Sequence, residues 1–197
     1  MASPRTVSET LSQRPKRADA RRNYDKLIAA AREAFAADGT SASLEDIARR
    51  AGVGIGTLYR HFPNRQELLE AAYLEEVGAM ARSAGDVADL PAWDALAAWL
   101  RQFVGYVATK YALAEELFAY IDRNAEFFQG CREAILGAGE PLLKRAQEAG
   151  VVRADTDISD VVRMVGGIAK MPSVEPDQIE RILDIALDGL RYRAPSA

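Results

Sequence analysis

The apolar positions of this chain recur with helical period almost from end to end. Leu27, Ile28, Ala31, Ala34 and Phe35 form an i, i+3/4, i+7 stripe, which predicts an amphipathic helix over about residues 20–37. Asp38 and Gly39 end it, glycine being suited to the left-handed position after a helix. Ser43 is a good N-cap, with Asp46 three residues on, the spacing of a capping box. Leu44, Ile47, Ala48 and Ala51 then share one face, Glu45, Arg49 and Arg50 take the other, and Gly52 stops the second helix. A third begins near Gly54, turns Leu58 and Phe62 inward at i, i+4, and closes at Pro63. Asn64 caps a fourth with Glu67 as its box partner, and Leu68, Leu69, Ala72, Val77 and Met80 carry it to about Ala84.

Gly85 to Pro91 has no helical period. Six further helices are expected beyond it, at about Ala92–Thr109, Ala112–Asn124, Ala125–Ala138, Glu140–Ala149, Ser159–Met171 and Pro176–Arg193. Alternation with period two is nowhere sustained and no internal repeat is visible, so the expected fold class is all-α.

Composition changes this picture little. The 197 residues, 49% hydrophobic, suffice for a sizeable core in one or two domains. Cys131 is the sole cysteine, which excludes an intrachain disulfide and a structural zinc cluster, fits a reducing cytoplasm and leaves no metal or cofactor to be expected. The longest uncharged run, Ala51 to Tyr59, is nine residues, far short of a membrane span, and the N-terminus lacks a secretory apolar region.

Charge changes it more. The net charge is −4, yet residues 1–70 carry 12 Lys/Arg against 9 Asp/Glu, while residues 71–197 carry 13 against 20. That asymmetry suits an N-terminal end facing nucleic acid and an acidic body, although Met1–Arg22 alone contributes +4 and reads equally as a solvated tail. Residues 1–19 are Ser/Pro/Arg-rich without apolar period, and are expected to form a disordered basic arm.

The second and third helices, joined by a tight turn at Ala51-Gly52-Val53, have the pattern of a helix-turn-helix. In such motifs the second helix enters the major groove of DNA. With Leu58 and Phe62 as anchors, its remaining surface is Ile55, Gly56, Thr57, Tyr59, Arg60 and His61. Thr57 and Tyr59 offer hydroxyls to phosphates, and Arg60 suits a phosphate or a bidentate contact to guanine. Ile55 suits a thymine methyl. Gly56 costs a helix about 1 kcal/mol relative to alanine, a sacrifice that makes sense where the backbone must come close to another surface. His61 and Arg65 stand where a phosphate would lie, Arg65 in the positive first turn of the fourth helix.

The stretch "LEDIARRAGVGIGTLYRHFPNRQELLEAA" resembles the DNA-binding signature of TetR-type repressors, and "LIAAAREAFAADGTSAS" resembles that family's first helix. The resemblance covers about Asn23 to Tyr73. It implies an all-helical, homodimeric transcriptional regulator with an N-terminal helix-turn-helix DNA-binding domain and a C-terminal helical ligand-binding and dimerisation domain, placed at residues 20–72 and 73–197. Carried over by position, Ser43, Thr57, Tyr59, His61 and Arg65 match contacts to phosphates or bases. Gly54 stands where Ser or Thr is frequent and Ile55 where a polar base reader is frequent, so the base-reading code is not transferable.

The C-terminal half is read from its residues. Nine aromatics fall between Trp93 and Phe128, as a helical core or as the wall of an apolar ligand cavity. Candidate ligand-binding residues are Trp99, Phe103, Tyr106, Phe118, Tyr120, Asn124 and Met164. The last two helices carry apolar stripes that serve either the chain's own core or a two-fold interface. Candidate interface residues are Val161, Val165, Ile168, Ile182 and Ala186. The implied mechanism is a dimer that sets two recognition helices about 34–36 Å apart on a pseudo-palindromic operator, released when a small molecule favours another spacing. The partners expected are therefore double-stranded DNA, a second copy and an effector, with no membrane. Two other classes compete with this reading. An enzyme lacks a nucleophile elbow or phosphate loop here. A helical adaptor that had lost DNA binding would lack a steep salt dependence on random duplex.

Overall fold

The computed structural model describes residue 15 and residues 17–191 except 124 and 173. Among the described residues there are eight α-helices and no strand. They are α1 (Ala18–Asp38), α2 (Leu44–Arg50), α3 (Ile55–His61), α4 (Arg65–Asp86), α5 (Ala92–Leu117), α6 (Glu126–Glu148), α7 (Ile158–Ile168) and α8 (Pro176–Leu190), with a 3-10 turn at Gly39–Ser41.

The N-terminal boundaries follow from local chemistry. Ser43 Oγ accepts from the Asp46 amide at 3.0 Å, and Asn64 Oδ1 accepts from the Glu67 amide at 2.9 Å while its Nδ2 donates back to Glu67 Oε1 at 3.1 Å. Each cap satisfies an amide that the first helical turn leaves orphaned. Gly52 takes φ +67° in the turn between α2 and α3, a conformation that a side chain would strain. The expected arm at residues 1–19 lies outside the described residues, apart from 15 and 17–19.

Further on, the structure differs from the expected pattern three times. The helix expected to reach Asn124 ends at Leu117. α5 runs unbroken through Lys110–Ala112, because no breaker stands there and Phe103, Val107, Ala114 and Leu117 keep one buried phase across it. α6 joins the two helices expected at Ala125–Ala138 and Glu140–Ala149, running on through Gly139 and Pro141. Proline forfeits one backbone bond, yet Ile135, Leu142, Leu143 and Ala146 stay buried on one face to either side.

The helices pack as two compact units. The first holds the described residues up to Val77 together with Thr109–Arg132; the second holds Gly78–Ala108 and the described residues from Glu133 on. In the first, Phe35, Ile47, Leu58, Leu68 and Leu69 are fully buried, and Tyr73 meets Phe127 and Phe128 with ring centroids 5.6 and 5.5 Å apart. Arg32 of α1 pairs with the buried Glu76 of α4; burial holds the Glu76 carboxyl above its ordinary range despite that cation. In the second, Trp99 is fully buried, stacks on Phe103 and donates from Nε1 to the Met80 carbonyl at 3.3 Å. α6 passes so close that a Cβ at Gly139 would sit 2.7 Å from the Trp99 ring and 2.9 Å from Ile158. Glycine is required there by space alone. Arg145 closes the turn before α5 by donating to the carbonyls of Ala88 and Leu90.

Candidate nucleic-acid interface

α3 is a seven-residue rod clipped down from one side. Leu58 is fully buried and Phe62, just past its end, is nearly so. Tyr24 of α1 lies against Phe62 at 5.1 Å and meets His61 edge-on at 6.1 Å. Burying Leu58 and Phe62 is worth about 1.5–3 kcal/mol each, which fixes a helix too short to hold itself in water.

What this leaves outward is a continuous surface. Gly54, Ile55, Gly56, Tyr59 and Arg60 are exposed, and Thr57 and His61 are half-buried. Ile55 and Tyr59 keep 37% and 45% of their surface in water, a cost that the adjacent core does not demand. A Cβ built at Gly56 meets nothing within 4 Å, so no packing inside the chain asks for glycine there. Arg60 has no carboxylate partner among the described residues. Partial burial, and then the charge of Arg60, hold the His61 imidazole below its usual pKa.

The flanking cations are committed within the chain. Arg49 pairs with Asp46, and Arg50 with Asp38 at 2.9 Å. Ser43 spends its hydroxyl on capping α2. Arg65 is half-buried and turned inward: it donates to the carbonyls of Ala42 and Gly39, lies 3.4 Å from Glu116 Oε2, and sits over the Phe35 ring.

The C-terminal candidates fall apart into groups. Trp99, Phe103 and Tyr106 are buried against one another in the second unit. Phe118 and Tyr120 belong to the first unit, Phe118 beneath the Arg123 guanidinium at 3.9 Å. Asn124 lies outside the described residues. Met164 is exposed and lines a half-open groove of about 480 Å³ with Arg153, Asp160, Val161, Ala186 and Leu190. Of the interface candidates, Val161, Val165 and Ile168 are buried inside the chain's own second unit, whereas Ile182 and Ala186 are half-buried. Ile185, not among those candidates, stands 73% exposed on α8; its signal in the sequence is the second apolar face that Ile182, Ile185 and Ala186 give a helix already burying Leu183, Leu187 and Leu190. Among the described residues no group of three His, Cys, Asp or Glu could hold a metal, and no helix is long and apolar enough to cross a membrane.

Comparison with known proteins places this geometry. Residues 27–72 match the family model described as bacterial regulatory proteins, tetR family, and residues 91–192 match that of the transcriptional regulator SbtR-like C-terminal domain. A TetR transcriptional regulator from Streptomyces coelicolor is 42% identical, with 87% of this chain and 99% of that one covered and a TM-score of 0.76. A TetR transcription regulatory protein from Mycobacterium vanbaalenii is 35% identical, with 90% and 100% covered and the same TM-score of 0.76. An HTH-type transcriptional regulator of Staphylococcus aureus is 31% identical over 103 residues; the alignment spans 51% of this chain and only about half, 51%, of that curated relative. These are regulators and not enzymes. With both of its parts matched and 87–90% of its length superposed on such structures, the chain belongs to the TetR family of transcriptional regulators.

Proposed function

We propose that the chain is a cytoplasmic, homodimeric DNA-binding repressor that leaves a pseudo-palindromic operator when a small molecule binds its C-terminal part. The observation that carries this reading is the outer face of α3, where Ile55, Gly56, Tyr59 and Arg60 stand in solvent on a helix fixed by Leu58 and Phe62. Residues 20–72 form the reading head, and residues 73–197 the effector-binding and dimerising part. Thr57, Tyr59 and His61 meet phosphates, with Ser43 lending its backbone; Ile55 and Arg60 meet base edges. Arg65 acts from behind as a strut for the turn before α2. The effector is chosen by the second unit, where Phe103 and Tyr106 supply an aromatic wall. Only differential affinity for two states lets that effector act, with a coupling of about 1–3 kcal/mol typical of such switches.

The test begins with a duplex that the purified chain enriches from a randomised pool. Arg60→Ala is expected to lose about 1–3 kcal/mol on that duplex and far less on mixed sequence. Equal losses on both would assign Arg60 to a phosphate. Failure of the parent chain to enrich any duplex, or to bind DNA in low salt, would refute the reading.

Gly56 gives a second measurement with opposite signs. Gly56→Ala has room in the free chain and improves helix propensity, so its melting temperature is expected to hold or rise, by up to about 1 kcal/mol of stability. On the enriched duplex the added methyl meets DNA and weakens binding. Unchanged affinity would show that the backbone at Gly56 does not approach the duplex.

A further inference from the structure

We propose that Glu116, at the end of α5, is a positioning residue for DNA recognition that acts through Arg65. The inference rests on the DNA-binding reading above.

The geometry is a corner. Arg65 begins α4, and its guanidinium reaches back to the Gly39 carbonyl at 3.2 Å and to that of Ala42, the residue before the Ser43 cap of α2. The same group lies over Phe35 of α1 at 4.8 Å. Its acidic neighbour comes from 51 residues further on: Glu116 Oε2 stands 3.4 Å from Arg65 Nη2. A Cβ at Gly39 would lie 3.4 Å from Glu116 Oε1, so the carboxylate also packs directly against the turn. Both side chains are largely withdrawn from water, at 20% and 10% exposure. One cation therefore ties the end of α1, the entry to α2 and the start of α4 to the last turn of α5, all within the first unit.

Carbonyl oxygens accept from a guanidinium but do not neutralise it. Taking away the carboxylate leaves a part-buried charge without that counter-ion, a state that is costly and draws the side chain outward. The carbonyls of Gly39 and Ala42 then lose their donor, and the turn that sets the entry angle of α2 loosens. α2 carries α3 directly through the Gly52 turn, so the error passes to the reading face. A helix in a groove recognises bases only in one register, which the backbone contacts around it set.

The test uses the full chain and the duplex it enriches from a randomised pool, beside a mixed-sequence duplex. Glu116→Ala and the shape-conserving Glu116→Gln are each expected to lower affinity for the enriched duplex, by roughly tenfold for alanine, with affinity for mixed sequence and the salt slope unchanged. Glu116→Asp is expected to restore part of the loss. Arg65→Ala should lose a similar amount, and Arg65→Ala/Glu116→Ala no more than either single variant, since both break one link. A Glu116→Gln protein that melts lower but binds the enriched duplex as the parent does would overturn the proposal, Glu116 then being a stability contact alone. Tighter binding to both duplexes with a salt slope steeper by about one would also overturn it, since Arg65 would then be a phosphate ligand held back from DNA. Failure of the parent chain itself to enrich a duplex is the separate outcome that removes the DNA-binding reading.

Discussion

Trp99→Ala is expected to lower stability by about 3–5 kcal/mol, roughly 6–20 °C in melting temperature for a chain of this size. The indole is fully buried, stacks on Phe103 and sends its N–H to the Met80 carbonyl. Gly139 and Ile158 close over its edge with no spare room. Truncation therefore removes a large transfer contribution and also leaves a void that backbone atoms of α6 cannot fill without moving. Chemical denaturation followed by circular dichroism measures the loss. A wall of a ligand cavity behaves otherwise, because its far side already faces empty space and little contact is lost. A loss under about 1 kcal/mol would return Trp99 to the list of effector contacts.

Ile185→Glu is expected to leave the folded monomer nearly as stable, an exposed substitution being worth within about 0.5 kcal/mol, but to separate the proposed dimer. Ile185 is 73% exposed, the half-buried Ile182 and Ala186 share its face, and Met164 of α7 is exposed as well. Single exposed apolar residues are ordinary; a second apolar face on a helix already packed by Leu183, Leu187 and Leu190 is not. A glutamate there adds to Asp184 and Asp188 on the same helix, and burying it between two copies would strand a charge. Sedimentation should report the mass of one chain. Operator affinity should fall by about 10²–10⁴, because each chain then holds one half-site without the effective concentration that linkage provides. A variant that remains dimeric would place the two-fold interface elsewhere.

Much of the N-terminal half was legible because its signals are local. The Ser43–Asp46 and Asn64–Glu67 spacings, the Gly52 turn and the Leu58–Phe62 pair each act within four residues, and each appears at its expected place. α5 and α6 were less so. Lys110–Ala112 and Gly139–Pro141 weaken the apolar stripe without breaking it, and the packing on either side decides that the helix continues. Periodicity also tells which face of a helix is apolar, never what will cover it. Val161 and Ile182 read alike in sequence, yet one is spent on the interior and the other is half-open. Arg65 shows the same gap for charge: its place in a positive first turn suggests an anion, and its actual neighbours, Gly39, Ala42 and Glu116, come from far along the chain.

The first compact unit is made from two separate stretches of chain, and Tyr73 has its ring partners Phe127 and Phe128 in the later one. A fragment cut after Val77 would keep every candidate DNA contact and lose the apolar lid over Tyr73 as well as the carboxylate beside Arg65. Grafting this reading head onto another regulator therefore requires two splices, carrying Thr109–Arg132 along with the N-terminal segment. A single crossover after the motif would likewise part Tyr73 from Phe127 and Phe128 and Arg65 from Glu116.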